Sequence, residues 1–139
     1  MKKTIAIILT AVLLLACSAC AALSPKVALT GEWKLENAEV ASEASITNSL
    51  NATLTVNEDK SFTLSMSMES GDAKSVYEID GTCTEGENGA VTFNGKHSVN
   101  KTGSETSDTE LNETFEGTLK DGKLTVTLPG ATMTFTKNK

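Results

Sequence analysis

The chain has 139 residues, with twelve lysines, no arginine, eighteen acidic residues and one histidine, for a formal charge of −6 at neutral pH. An acidic chain without arginine lacks the electrostatic footprint of a nucleic-acid binder, and anionic lipid would repel it. Three cysteines do not make a disulfide framework, and this length supports one folded core rather than two.

The chain opens with Lys2 and Lys3 and then the apolar run Ile5 to Leu15, too short to cross a membrane as a mature helix. Together they read as a secretory signal. The run ends Leu14-Leu15-Ala16-Cys17, which resembles the lipobox of bacterial lipoproteins. That resemblance implies cleavage before Cys17 and a diacylglyceryl group on its thiol. The competing readings are a plain secretory peptide cut after Ala19 or Ala21, or modification of Cys20, which has Cys17 rather than a large aliphatic residue three positions before it. One acyl chain binds a bilayer marginally, whereas two or three anchor it stably. The expected organisation is a signal peptide over residues 1–16, a lipidated tether over 17–28 and a folded domain over 29–139. It places the protein at a cell membrane or outer membrane, facing outside the cytoplasm. The first sixteen residues hold two of the twelve lysines and none of the acids, so the remainder carries about −8. Its acidity is that of an exported domain kept soluble.

Beyond the tether, short threonine-rich segments separated by turn residues predict an all-β fold. After Gly31, a first strand places Trp33 and Leu35 on one face and Glu32, Lys34 and Glu36 on the other. Residues 41–50 have room for one helical turn. A second strand puts Ala52, Leu54 and Val56 inward, and the turn Asn57-Glu58-Asp59-Lys60 leads to the clearest alternation, with Phe62, Leu64, Met66 and Met68 inward. Gly71-Asp72 turns the chain into a fourth strand with Tyr77, Ile79 and Cys83 inward. Cys83 reads as a small buried apolar residue, and spacing gives no support for a bridge to Cys20. In the fifth strand Val91 and Phe93 face inward, and unbroken parity adds Gly95, His97 and Val99. Residues 100–109 read as a polar loop. The sixth strand carries Leu111, Glu113, Phe115 and Leu119 in phase, and Asp121-Gly122 is a favoured hairpin turn. Leu124, Val126 and Leu128 follow, then Pro129-Gly130, then Ala131, Met133 and Phe135. Eight hairpin-connected strands predict an antiparallel up-and-down barrel, with a flattened two-sheet sandwich as the alternative.

Gly31-x-Trp33 at the head of the first strand, followed by these strands, resembles the lipocalin-like barrels, in particular the short lipocalin-like domains of bacterial lipoproteins. The resemblance spans about residues 28 to 139 and implies a barrel with one small ligand at its mouth. In larger lipocalins a basic residue of the last strand, usually arginine, packs over that tryptophan. Lys137 matches in place but lacks the planar guanidinium. Gly31, Trp33 and Lys137 are thus the expected barrel floor.

The two longest connections, 41–50 and 100–109, fall at the end away from Trp33, which makes that end the expected mouth. Inward parity selects Asn37, Glu39, Met66, Met68, Tyr77, His97 and Glu113 there, with His97 opposite Glu113. A ligand would lay its apolar part on Met66, Met68 and Tyr77 and its polar or cationic group against Glu113 and Glu39. The plainer expectation is a solvated rim. Two methionines near His97 are soft ligands for copper(I), but methionines two apart on a strand are ordinary core filler, and no metal or other cofactor is expected. One histidine, no serine in a nucleophile-elbow context and no singled-out carboxylate pair argue against an enzyme. Two function classes remain. One is a membrane-tethered module binding a small apolar or amphiphilic ligand. The other is a structural or adaptor lipoprotein with a filled barrel and an envelope protein partner.

Overall fold

The computed structural model describes residues 27–40 and 50–139. Cys17, Cys20, the signal, most of the tether and the 41–49 connection lie outside the described residues. The chain forms β1 (Gly31–Val40), β2 (Leu50–Val56), β3 (Ser61–Ser70), β4 (Ala73–Glu85), β5 (Ala90–Thr102), β6 (Glu105–Lys120), β7 (Lys123–Leu128) and β8 (Ala131–Lys137), with one short 3-10 turn at Glu87–Gly89. Each strand pairs antiparallel with the next, and β1 pairs with β8. The result is a closed eight-stranded barrel, which excludes the sandwich.

Alternating threonine and apolar residues set most of this, because β-branched side chains suit the pleated surface and every second one turns inward. Leu54, Phe62, Leu64, Ile79, Cys83, Val126, Met133 and Phe135 are all buried, in the phase the alternation predicts. Phe62, Phe93 and Phe115 fill the middle of the barrel. Phe62 meets Phe93 edge-on at 5.1 Å, and Phe93 stacks on Phe115 at 5.3 Å. Gly117 lies beneath that stack, where a Cβ would stand 2.9 Å from the Phe93 ring. Each buried ring contributes about 2 kcal/mol through the apolar surface it removes from water. At the hairpin between β6 and β7, Asp121 and Gly122 have φ of 53° and 75°, the paired positive values of the expected turn.

Two bulges reset the inward parity. In β1 the register with β8 slips between Leu35 and Asn37, so Ala38 is buried and Asn37 and Glu39 are exposed. In β5 the register slips between Gly95 and His97, so Ser98 turns inward and His97 turns outward. One inserted residue moves every later side chain to the opposite face. The expected polar loop at 100–109 is also replaced. β5 and β6 run on through it as a hairpin turning at Gly103, pairing Ser98 with Thr109 and Thr102 with Glu105.

Two of the ladders that close the barrel are short. β1 pairs with β2 up to Lys34 and Thr53, and β6 pairs with β7 up to Glu116 and Thr127. Above those points neither ladder continues among the described residues, and β7 itself ends one residue later at Leu128, which leaves a seam on each side. A larger leaf of β2 to β6 faces a smaller leaf of β7, β8 and β1.

Candidate functional site

The floor is built from the start of the described chain. Leu29 is buried under the barrel, and its carbonyl accepts a 2.8 Å hydrogen bond from the Trp33 indole N–H. Lys137 donates to the Ala28 carbonyl at 2.6 Å, with its ammonium 5.5 Å from the Trp33 ring centroid. The lysine thus does by point charge and hydrogen bond what a guanidinium does by stacking. Gly31 has φ of 131°, a conformation side chains rarely adopt, and a Cβ there would stand 2.9 Å from Lys137 Cε. Gly31, Trp33 and Lys137 therefore meet at one closed end, around the incoming chain.

At the open end the inward side chains form an apolar throat. Met66 pairs with Ala52 on one side and Tyr77 on the other, and Met68 pairs with Leu50 and Ser75. Leu50, Met66, Tyr77, Leu111 and Leu128 are half-buried against the core. Met68 is 43% exposed and is one of two large apolar side chains exposed among the described residues. Above it stand Ser75, Thr102 and Asn100, linked through their side-chain oxygens at 3.5 and 3.4 Å. The throat offers polarizable sulfur and an aromatic ring to an apolar group, and hydroxyls and an amide to a polar one.

Of the residues expected at the mouth, the structure brings Met66, Met68 and Tyr77 together. Glu39 is exposed with Ala38 turned inward, the β1 bulge having reversed them. Glu113 pairs with Gly95, not His97, and is exposed beside the seam where β7 has ended. His97 pairs with Glu110 on the outer wall. The copper(I) geometry fails for the same reason, since the methionines and the imidazole lie on opposite faces of the sheet.

Sequence reading missed the group that His97 does join. Its Nδ1 lies 3.3 Å from Asp80 Oδ2, and its Nε2 bonds Asp108 Oδ1. Desolvation opposes the imidazolium, but the hydrogen bonds it donates to the Asp108 and Asp80 carboxylates outweigh it and hold the His97 pKa above its ordinary value. A raised folded pKa contributes stability that is complete below the unfolded value and disappears as pH rises through the folded one. Denaturant unfolding at a series of pH values is expected to show the wild-type chain losing stability relative to His97→Gln between about pH 6 and 8. Parallel curves would remove the ion-pair assignment. Among the described residues, the side-chain partners of His97 are these two carboxylates.

A cleft of about 760 Å³ lies at the floor, between Val27 and Ala28, the turn at 85–90 and the turn at 119–122. Its walls are mainly exposed turn residues of both charges, among them Glu87 and Lys120, and it borders the point where the described chain begins. A shallower hollow of about 430 Å³ runs along the upper edge of the smaller leaf beside Leu128 and Ala131. The throat has the better chemistry for a specific ligand, because its apolar side chains converge on one inward face.

No protein-family model, curated protein or solved structure matches this chain.

Proposed function

We propose that the chain is a membrane-anchored lipoprotein outside the cytoplasm, held through diacylglyceryl-Cys17, whose lipocalin-like barrel binds a small apolar or amphiphilic ligand in its upper throat. The observation that carries the binding reading is Met68, exposed on an inward face where two leaves of the barrel part, beside half-buried Met66 and Tyr77. What supports the reading is convergence, since small-molecule sites are built from apolar and aromatic side chains on one concave face with a few polar groups beside them. Met66, Met68 and Tyr77 take the apolar part. Glu113, at the seam, takes a polar or cationic end, and Ser75, Asn100 and Thr102 bond the rim of the ligand. Glu39 and His97 have no part in this site. The role is binding rather than catalysis, with no cofactor.

Native mass spectrometry of the full chain, extracted gently in detergent from its own envelope, tests both halves of this reading. The expected result is a diacylglyceryl mass on Cys17 together with a stoichiometric added mass released on unfolding. Met68→Asp is expected to lose the added mass while keeping the wild-type Tm. A bare protein mass overturns the ligand, and an unmodified Cys17 overturns the anchor.

A further inference from the structure

We infer that the free edge of β6, residues 105–115, is a docking site for an extended, lysine- or arginine-bearing segment of a partner protein, which adds to the larger leaf as a further strand. The inference does not rest on Cys17 or on a ligand in the throat, although the edge and the throat share Glu113.

β7 stops pairing with β6 at Thr127, opposite Glu116, while β6 continues upward to Glu105 with β5 on its other side only, among the described residues. Alternate residues of an antiparallel strand direct their N–H and C=O to each side, so roughly five residues of this stretch offer both groups to the free side. Such an edge is a template for strand addition. It is reinforced from behind, because β5 holds it in register from Gly95 to Thr102 and β4 holds β5 in turn. The strand that binds would not have to order the edge first.

Charge selects the occupant. The stretch carries Glu105, Asp108, Glu110 and Glu113 and no lysine; of the β5 cations, His97 bonds Asp108 and Lys101 lies 3.3 Å from Glu78, which leaves Glu105, Glu110 and Glu113 without a paired cation among the described residues. A second copy of this strand would set acid against acid, which destabilises directly opposed pairs. Asp108 and Glu110 lie two apart on the outer face, and because Asp108 already bonds His97, it is Glu110 that an incoming cation on that face meets. The same acids that keep the edge from pairing with itself leave it open to a basic strand. The partner would continue the line of β7 and close the upper seam.

The test uses hydrogen–deuterium exchange on the full chain in detergent. The probe is a capped eleven-residue peptide of alternating lysine and threonine, compared with the same peptide carrying glutamate in place of lysine. The expected result is roughly tenfold slower exchange at residues 105–115 with the lysine peptide only, weakening as salt is added. Glu105→Lys with Glu110→Lys is expected to abolish that protection, and exchange across β2 to β4 serves as the control for folding. No protection at 105–115, equal protection by both peptides, or protection spread over other acidic surfaces overturns the inference. Protection without peptide that grows with protein concentration assigns the edge to a second copy and overturns it equally.

Discussion

Replacing Trp33 by alanine is expected to destabilise the fold by about 4 kcal/mol, within the range for emptying a large aromatic site. Three losses coincide there. The side chain is fully buried, its indole N–H satisfies the Leu29 carbonyl, and its ring faces the Lys137 ammonium. Leu29 is itself buried, so the cavity opens beside the segment that seals the floor. Trp33→Phe keeps much of the apolar area and loses the hydrogen bond, and is expected to cost about 1–2 kcal/mol. Equilibrium denaturant unfolding of both variants measures the difference. A domain of this size has a total stability of about 5–15 kcal/mol, so the alanine variant should lie near the edge of folding. Equal small losses in the two variants would show that the floor is not held by the tryptophan.

The second large effect is expected at Gly81, and its sign runs against the usual rule. Alanine for glycine inside a strand ordinarily stabilises by roughly 0.5–1 kcal/mol, because the unfolded chain loses freedom. At Gly81 a Cβ would stand 1.9 Å from the Asn94 backbone oxygen and 3.1 Å from the Gly95 Cα. Backbone cannot step aside as a flexible side chain can, so β4 and β5 must part where the register slips from Asp80–His97 to Gly81–Gly95. Gly81→Ala is expected to cost about 3 kcal/mol, the upper end of overpacking. Thermal unfolding compared with Gly71→Ala, at a turn with open space around it, separates crowding from turn strain. A Gly81→Ala protein as stable as wild type would mean that the two strands are not so tightly apposed.

Strand number, closure and the inward faces of β2, β3, β4, β7 and β8 were legible because alternation in those segments is unbroken, as in Phe62, Leu64 and Met66. Parity failed where a strand bulges, and there the signals are faint. In β1 the apolar residues change phase between Leu35 and Ala38, a shift visible in the letters but equally readable as a strand end. In β5 only Gly95 beside Lys96 marks the slip. That single slip carried His97 from an expected ligand position to an outer pairing with Asp80 and Asp108. The run from 100 to 109 has no large apolar residue, so its extension depends on threonine content and ladder pairing rather than on burial. Hydrophobic pattern cannot report a strand whose two faces are both wet. The free edge of β6 was therefore invisible to it.

The pinning of Ala28 and Leu29 across the floor also fixes the end of the barrel at which the proposed lipid anchor would attach. With Cys17 as the anchor, ten residues separate the lipid from Val27, a leash of at most about 35 Å. Such an anchor would enter at the sealed end, opposite the seams and the tip of the β5–β6 hairpin. β5 has 13 residues, and with barrel tilt its tip stands roughly 30 Å farther out than its base. A molecule tethered in this way would have its throat and its acidic edge at the end of the barrel farther from the attachment point.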